Sequence, residues 1–354
     1  MKIRSAIEKL TPYKPPLEGR NPREFTLLDF NESPFPLPPH VRERLVEYIQ
    51  GNTLHVYPAY GDFLEHLAAY TGVTPEQLIV TNGSDQAIDI ILRCILDAGD
   101  EMVLAKPGFS MFFQIAGTLD ASVISPFYSL DDMRFPMDQI VRSVTEKTRL
   151  IVVINPNNPT GTSASLEQLR QLLTTFPDIA VLVDEAYYEF TGKTCVSLVN
   201  EFSNLVVIRT FSKAFAIPSL RLGYALGNPD FIQQLYKIRG PYDVNMLAIV
   251  SARAQLDNPE PWKEAIRHVM TESKPALEHF FQTHQVKYYP GEAHFMLVVP
   301  ENLPESVNYL KDHGILVRPM HPPIGHMFRV NAGTMEQTQK FIQIYKKYLE
   351  LVHD

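Results

Sequence analysis

Cysteine is scarce in this sequence, and long hydrophobic runs are missing from it. Cys94 and Cys195 are its only cysteines, too few for a disulfide framework and without the close spacing of a metal site. No apolar run approaches the roughly 20 residues that cross a bilayer. The first ten residues are charged where a secretory signal would be apolar. We therefore expect a cytoplasmic protein with no membrane partner and no bound metal.

The sequence also lacks an excess of positive charge. It contains 32 lysines and arginines against 40 aspartates and glutamates, which gives a formal net charge of −8. Proteins that bind nucleic acid normally carry a basic patch or a basic excess, so we expect no nucleic-acid partner. The apolar fraction of 45% is ordinary for a globular protein, and 354 residues are enough for two modest domains.

Short apolar runs alternate with longer amphipathic stretches between residues 75 and 240. Several of the runs are almost continuous Val, Ile and Leu, as expected for strands that are buried on both faces. The predicted strands are Leu78–Thr81, Met102–Ala105, Ala121–Ser125, Leu150–Ile154, Ala180–Val183, Leu205–Thr210 and Leu222–Leu226. Helical patterns lie between them, for example from Asp85 to Leu96, which Gly99 can close. The alternation predicts an α/β fold with a mostly parallel seven-stranded sheet.

The pattern changes after about residue 245. The predicted elements there are a helical region from Pro261 to His284, runs at Val286–Tyr289 and Phe295–Val299, a helix near Glu305–His313, runs at Ile315–Arg318 and Met327–Asn331, and a helix from Thr334. We predict an N-terminal arm (1–45) that packs with the small domain, a large domain (46–245) and a small α+β domain (246–354).

Polar segments follow several of the predicted strands. Ligands of open α/β sheets bind outside the carboxyl ends of the strands. The turn Asn82–Gln86 leads into a helix and can offer backbone N–H groups to an anion, although such turns usually only cap a helix. The loop Asn155–Gly161 is stiffened by prolines. Asp184 directly follows a run of buried aliphatic residues, where a carboxylate needs a cationic partner.

Three of these segments together resemble the fold-type I aminotransferases, which use pyridoxal 5′-phosphate (PLP). They are Asn155–Gly161 (NPNNPTG), Asp184–Tyr187 (DEAY) and Thr210–Gly223 (TFSKAFAIPSLRLG), in family order and at family-like spacing. The resemblance covers nearly the whole chain. It implies the type I fold of PLP-dependent transferases, and a cofactor that accepts electrons from the carbanion formed at the substrate Cα.

The resemblance also assigns cofactor contacts residue by residue. Lys213 matches the lysine that binds the cofactor as a Schiff base and later moves the Cα proton. Asp184 matches the carboxylate that pairs with the pyridine nitrogen. Asn158 and Tyr187 match the groups that hydrogen-bond the ring oxygen. Phe109 matches the aromatic residue that stacks on the ring. The phosphate is assigned to Ser84 and the backbone N–H groups of the Gly83–Gln86 turn, which include those of Gly83 and Asp85, and to Thr210, Ser212 and Arg221.

Further matches concern the substrate and a second subunit. Tyr57 matches the tyrosine that reaches the phosphate of the neighbouring subunit, which implies a homodimer with a shared active site. Arg329 matches the arginine that binds the acidic group of the substrate, and a guanidinium can bind such a group with two hydrogen bonds. Arg318 and Tyr13 match contacts to a substrate phosphate, and Asn31 completes the predicted substrate set.

Within this family the sequence is most similar to histidinol-phosphate aminotransferases. The similar segments are Thr11–Tyr13, Asp29–Pro34, Tyr57–Pro58, Pro241–Asn245 and Gly314–Arg318. The sequence departs from the common pattern at Ser33, where many relatives have Asn, and at Phe109, where many have Tyr. It also carries two histidines, His321 and His326, between Arg318 and Arg329.

The predicted activity is transfer of the amino group of glutamate to a keto acceptor, with imidazole-acetol phosphate favoured. An aminotransferase for aromatic or other amino acids is the first alternative. A threonine-phosphate decarboxylase is the second, because such relatives share a Pro-Gly-Phe stacking segment and the Ala216–Pro218 sequence after the lysine. A PLP-binding regulator is the third, although only about 45 residues precede the large domain.

Overall fold

The structure is a computed structural model that describes residues 1–353. Its strands are β1 (Thr26–Leu27), β2 (Leu78–Asn82), β3 (Glu101–Leu104), β4 (Ser122–Ile124), β5 (Thr148–Ile154), β6 (Ala180–Asp184), β7 (Leu205–Thr210), β8 (Leu222–Gly227), β9 (Lys287–Tyr289), β10 (Phe295–Val299), β11 (Ile315–Leu316), β12 (Arg318–Pro319) and β13 (Phe328–Asn331). Its α-helices are α1 (Ser5–Glu8), α2 (Pro39–Gln50), α3 (Phe63–Thr71), α4 (Gly83–Ile95), α5 (Ser110–Thr118), α6 (Met137–Ser143), α7 (Leu166–Thr175), α8 (Tyr188–Thr191), α9 (Pro229–Ile238), α10 (Met246–Asp257), α11 (Glu260–His268), α12 (Lys274–Thr283), α13 (Leu303–Asp312) and α14 (Met335–His353).

The seven predicted strands form one sheet, which confirms the α/β prediction. Their order is β2-β8-β7-β6-β5-β3-β4, and every neighbouring pair is parallel except those that involve β8. Both faces of the sheet are covered. Along β6, Val181 and Val183 belong to one hydrophobic core and Leu182 to the other, as the period of two in a strand requires. The carboxyl ends of the parallel strands therefore meet at one edge.

Helix α4 begins directly at the end of β2, two residues earlier than predicted. Gly83 makes this abrupt start possible because its φ of +76° lies in the left-handed region, which glycine adopts without strain. The helix ends at Ile95, so Gly99 does not cap it as expected. Because the helix starts this early, the free N–H groups of its first turn lie beside the carboxyl ends of the strands, where ligands of such sheets bind.

Helices α11 and α12 are joined by the π-helical turn Val269–Ser273, so the helical region predicted from Pro261 to His284 is confirmed. None of the helices in residues 1–353 combines the length and the apolar character needed to cross a bilayer.

The second half of the chain builds a smaller antiparallel sheet, in the order β12-β13-β10-β9. The single run predicted at Ile315–Arg318 is divided in the structure. Its first part, β11, pairs in parallel with β1 of the N-terminal arm, and its second part, β12, pairs with β13. The chain changes sheets at the buried Val317 because the two halves have different partners.

The N-terminal arm is attached to the end of the chain by backbone hydrogen bonds. The Leu28 N–H donates to the Leu316 carbonyl at 2.9 Å, and the Asn331 N–H donates to the Leu28 carbonyl at 3.1 Å. Helix α2 runs through position 45, where we place the end of the arm. The division of the chain at residues 45 and 245 stays a prediction.

Candidate active site

Two of the motif segments continue the hydrogen bonding of the central sheet strands. The Asn155 N–H donates to the Asp184 carbonyl at 2.7 Å, and the Glu185 N–H donates to the Ile208 carbonyl at 2.9 Å. The ends of β5, β6 and β7 are therefore held side by side. This alignment brings the loop after β5, the acid that ends β6 and the lysine segment after β7 to one place.

Asp184 is a buried carboxylate without a cationic neighbour in contact. Its Oδ1 accepts the Ala186 N–H at 3.0 Å, and no salt bridge reaches it from the residues that the structure describes. Desolvation, reinforced by Asp85 and Glu185, raises its pKa to about 7. The adjacent Glu185 differs, because it forms a buried ion pair with Arg209 at 2.8 Å. Of these two acids, only Asp184 is left to bind a cation from a ligand.

Lys213 lies in the loop that follows β7 and is half-buried. Its Nζ donates to the Phe30 carbonyl at 2.9 Å and lies 5.8 Å from the centre of the Tyr187 ring. Lys213 also lowers the pKa of Asp184, which places its charge within electrostatic range of that carboxylate. The amine is thus held beside the buried acid by one hydrogen bond to the N-terminal segment.

Tyr187 and Asn31 form one hydrogen-bonded pair. The Asn31 Nδ2 donates to the Tyr187 hydroxyl at 3.1 Å, and both side chains are buried. Asn31 has a φ of +53°, and its N–H donates to Oδ1 of Asn331 at 3.2 Å. The Asn31 Oδ1 has no partner among the described residues. Asn31 is predicted to contact the substrate, but in the structure it binds the Tyr187 hydroxyl, which is predicted to bind the cofactor.

Arg329 is 7% exposed, although an isolated arginine in a strand is usually solvated. Its Nη2 donates to the Asp29 carbonyl at 2.6 Å, and its Nη1 donates to Oδ1 of Asn158. Desolvation, with the nearby Arg318, lowers its pKa to about 10. Its Nε is buried and has no partner within residues 1–353. A donor left unpaired in this way suits an acidic ligand.

The first turn of α4 and the segment before β8 form a compact anion cradle. A Cβ on Gly83 would lie 2.6 Å from Nη2 of Arg221, so the guanidinium rests on the bare backbone there. A Cβ on Gly223 would lie 2.5 Å from the Ser84 nitrogen. Arg221 is oriented by Asp85, whose Oδ2 is 2.8 Å away. The Asp85 carboxylate therefore holds the arginine in place, and the backbone N–H of Asp85 remains in the set predicted to bind the phosphate.

Thr210 and Ser212 complete the same cradle from the end of β7. The Ser212 N–H donates to Oγ1 of Thr210 at 3.1 Å, and the Thr210 hydroxyl donates to Oγ of Ser212 at 3.0 Å. Phe109 directly precedes α5 and packs edge-on against Phe112.

Other predicted residues are not joined to this group by any contact in the described chain. Tyr57 is 73% exposed and stacks on Tyr242, with ring centres 4.4 Å apart. Tyr13 is also exposed, although it affects the pKa of Arg329 and so lies within electrostatic range. The two histidines that precede β13, His321 and His326, are exposed.

Arg318 lies opposite Arg329 in the β12–β13 pair and sits over the Phe30 ring at 5.3 Å. Arg20, which sequence reasoning missed, sits over the same ring at 4.4 Å. Arg20 donates to both carboxylate oxygens of Asp29, at 2.8 and 2.9 Å, and also binds Glu32. It thereby fixes the segment that contacts Lys213, Tyr187 and Arg329. In the sequence, only the two acids near Phe30, Asp29 and Glu32, indicate that a cation such as Arg20 binds this segment.

The residues present fit PLP in three independent respects. The unpaired carboxylate of Asp184 suits a protonated pyridine nitrogen. The cradle of Arg221 and the α4 N-terminus suits a phosphate. The Lys213 amine, beside Asp184, suits the cofactor aldehyde. No single one of these features identifies the cofactor, but an unpaired buried acid, an anion cradle and an amine in one place match its three functional groups.

Known aminotransferases resemble this chain in sequence and in fold. A model of the aminotransferase class I and II family matches residues 23–344. A histidinol-phosphate aminotransferase of Thermoanaerobacter sp. is 34% identical over 327 residues, which are 91% of this chain and 92% of that protein.

Two solved structures share the fold. One is a histidinol-phosphate aminotransferase from Sinorhizobium meliloti in complex with PLP, with a TM-score of 0.89, 21% identity and coverage of 99% of this chain and 98% of that chain. The other is the L-threonine-O-3-phosphate decarboxylase of Porphyromonas gingivalis, with a TM-score of 0.79, 24% identity and coverage of 92% and 99%. At these identities the two structures support the fold alone, whereas the family model and the 34% identical relative establish that the chain belongs to the class I and II aminotransferases.

Proposed function

We propose that this protein is a PLP-dependent aminotransferase that exchanges an amino group between glutamate and imidazole-acetol phosphate, with histidinol phosphate as the product. The observation that carries this proposal is the pair of arginines on neighbouring strands, Arg329 and Arg318, beside the Lys213 and Asp184 site. The 34% identical relative, which bears the name of this activity, supports the same substrate.

The chain's own groups divide the chemistry among them. When bound, PLP supplies the electron sink for the charge that forms at the substrate Cα. Lys213 would accept the proton from the substrate Cα and donate it to the aldehyde carbon of the cofactor, which requires an uncharged amine. Asp184 holds the pyridine nitrogen protonated, and its burial makes that contact strong because it is poorly screened by water. Tyr187 and the Nδ2 of Asn158 bind the ring oxygen.

The substrate is recognised by its acidic groups. Arg329 has an unpaired Nε and binds the carboxylate of glutamate. Arg318 forms no ion pair within the described residues, whereas the charge of Arg20 is already neutralised by Asp29 and Glu32. Arg318 is therefore the cation available for a substrate phosphate, with Tyr13 as its partner.

A spectral screen of the holoenzyme tests this function. Glutamate and histidinol phosphate are each expected to bleach the yellow colour of the bound cofactor in a single turnover, and imidazole-acetol phosphate should restore it. The Arg318→Gln variant should bind histidinol phosphate roughly 10- to 100-fold more weakly, since a charged hydrogen bond is lost, while its reaction with glutamate stays unchanged. A faster reaction with phenylalanine than with histidinol phosphate would show an aromatic aminotransferase instead.

Decarboxylation of threonine phosphate is the second candidate. It is favoured by Phe109, which lacks the hydroxyl of the tyrosine found in many relatives, and by the Ala216–Pro218 sequence after the lysine. The same spectral screen separates the two reactions. Release of CO₂ from threonine phosphate without bleaching by glutamate would replace the aminotransferase assignment.

We also propose a homodimer in which Tyr57 reaches the phosphate of the other subunit. Exposed apolar residues are frequent between positions 46 and 57, and the exposed Tyr242 stacks on Tyr57, as is typical of interfaces. They are Val46, Ile49, Leu54, Val56, Tyr57 and Tyr242.

Mixing two impaired variants tests the shared site. Tyr57→Ala is expected to weaken PLP binding, and Lys213→Ala is expected to abolish turnover. If Tyr57 acts across the interface, refolding the two variants together should restore roughly a quarter of the wild-type activity, because half of the dimers have one intact site of two. No recovery beyond the activity of the Tyr57→Ala homodimer would mean that Tyr57 does not act across subunits.

A cytoplasmic location remains part of the proposal. Both Cys94 and Cys195 are free thiols, which suits a reducing compartment.

The net charge of −8 argues against a nucleic-acid partner.

A further inference from the structure

His294 is a fully buried histidine in the wall of the site, directly before β10. Its ring stacks on Phe190, with ring centres 3.9 Å apart and an angle of 21° between the planes. The ring of Tyr187 is also close to the imidazole, with ring centres 5.8 Å apart and an angle of 46°. The imidazole thus packs near both a core residue and the tyrosine predicted to bind the cofactor.

The imidazole carries no hydrogen bond that explains its burial. Neither Nδ1 nor Nε2 has a partner of good geometry among the described residues, although the backbone of Asn31 lies close enough to favour the protonated ring. Desolvation, with the positive charges of Lys213 and Arg329, nevertheless lowers the pKa of His294 well below its usual range. The ring is therefore neutral at physiological pH, and its flat face is what it offers its neighbours.

Tyr187 depends on such neighbours for its orientation. Its hydroxyl is held by Nδ2 of Asn31 at 3.1 Å, and its ring packs edge-on against Phe295, with ring centres 5.0 Å apart. The rings of His294 and Phe295 also meet edge-on, at 5.6 Å. Aromatic rings at these distances restrict each other's rotation because close packing leaves few alternative rotamers.

We propose that His294 is a positioning residue whose flat ring holds the Tyr187 phenol so that its hydroxyl meets Asn31 and the ring oxygen of the cofactor. This inference rests on the proposed PLP chemistry. It assigns no hydrogen bond to the imidazole nitrogens, so a phenyl ring of similar shape should serve equally well. A small side chain should not, because it would leave space into which Tyr187 can turn.

The measurement is a pH titration of the visible absorbance of the holoenzyme, which reports protonation of the link between Lys213 and the cofactor. A hydroxyl that donates to the ring oxygen favours the deprotonated link, in which that oxygen bears its full negative charge. Loss of the donor therefore raises the spectral pKa. His294→Ala should raise the spectral pKa by roughly one unit. His294→Phe should leave the spectral pKa unchanged. It should also raise the Tm of the apoprotein, because an unpaired nitrogen is no longer buried.

A double-mutant cycle separates positioning from general damage. In a Tyr187→Phe background no hydroxyl remains to be positioned, so His294→Ala should shift the spectral pKa by less than roughly 0.3 units while still lowering the Tm. An equal spectral shift in both backgrounds, or none in either, would overturn the inference. A wild-type protein that binds no PLP would instead overturn the proposed function, and the two failures are therefore distinct.

Discussion

The Lys213→Ala variant is expected to bind PLP but to lose the glutamate half-reaction by about 10⁴-fold, the upper end of what a positioned acid–base group contributes. The other contacts that we propose for the cofactor, at Asp184 and in the Arg221 cradle, are untouched by the substitution. Single-turnover absorbance measures the rate. Borohydride treatment of the wild-type holoenzyme should fix the cofactor on the peptide that contains Lys213.

Lys106 is the matched control. It follows β3 at the same carboxyl edge of the sheet, and its Nζ lies over the Phe113 ring at 4.8 Å. Lys106→Ala should keep both the half-reaction and the borohydride fixation. Fixation of the cofactor in the Lys213→Ala variant, or its loss in Lys106→Ala, would contradict the assignment of the amine.

The Asp184→Asn variant is expected to lower turnover by roughly 10³-fold, or about 4 kcal/mol of transition-state stabilisation. An amide cannot keep the pyridine nitrogen protonated, so the ring withdraws fewer electrons. Stopped-flow absorbance with glutamate measures this loss. The adjacent Glu185→Gln is the matched control, because it breaks the buried ion pair with Arg209 and should lower stability while leaving the spectrum of the bound cofactor unchanged.

In the apoprotein, Asp184→Asn should raise the stability of the native state, whereas Glu185→Gln should lower it. Burial raises the pKa of Asp184 from 3.8 to about 7, so the native state binds more protons than the unfolded state between these values. Native stability therefore falls as the pH rises through this range, and the penalty is complete above about pH 7. Asn should relieve it by up to about 4 kcal/mol at pH 8 and by much less at pH 4. Urea unfolding at the two pH values gives the difference, and an equal effect at both would contradict it.

The sequence is sufficient to predict the parts of the site that local pattern determines. The runs of buried aliphatic residues predict all seven strands of the large sheet. Lys213 and the Asn155–Gly161 loop each follow one of these strands, and Asp184 is the last residue of another. Because the carboxyl ends of parallel strands meet at one edge, the convergence of these residues follows from the strand prediction alone.

The rest depends on contacts between distant parts of the chain. Nothing near His294 in the sequence indicates that its ring meets Tyr187, which is more than one hundred positions earlier. Arg20 binds carboxylates 9 and 12 residues away across an irregular segment, where no helical or strand period applies. The division of Ile315–Arg318 between two sheets likewise depends on β1 and β13, two partners that the run itself does not specify.

The contacts between the N-terminal segment and β13 have a consequence for folding during translation. Asp29 and Asn31 meet Arg329 and Asn331, each 300 positions later in the chain. At about 5–20 residues per second, a ribosome needs roughly 15–60 seconds to make that interval. During the last part of this time the early segment can already contact Tyr187 and Lys213, but its partners in β13 do not yet exist. A nascent chain that has already placed Lys213 beside Asp184 still lacks Arg329, so the arginine predicted to bind the substrate joins the site only after position 329 has been made.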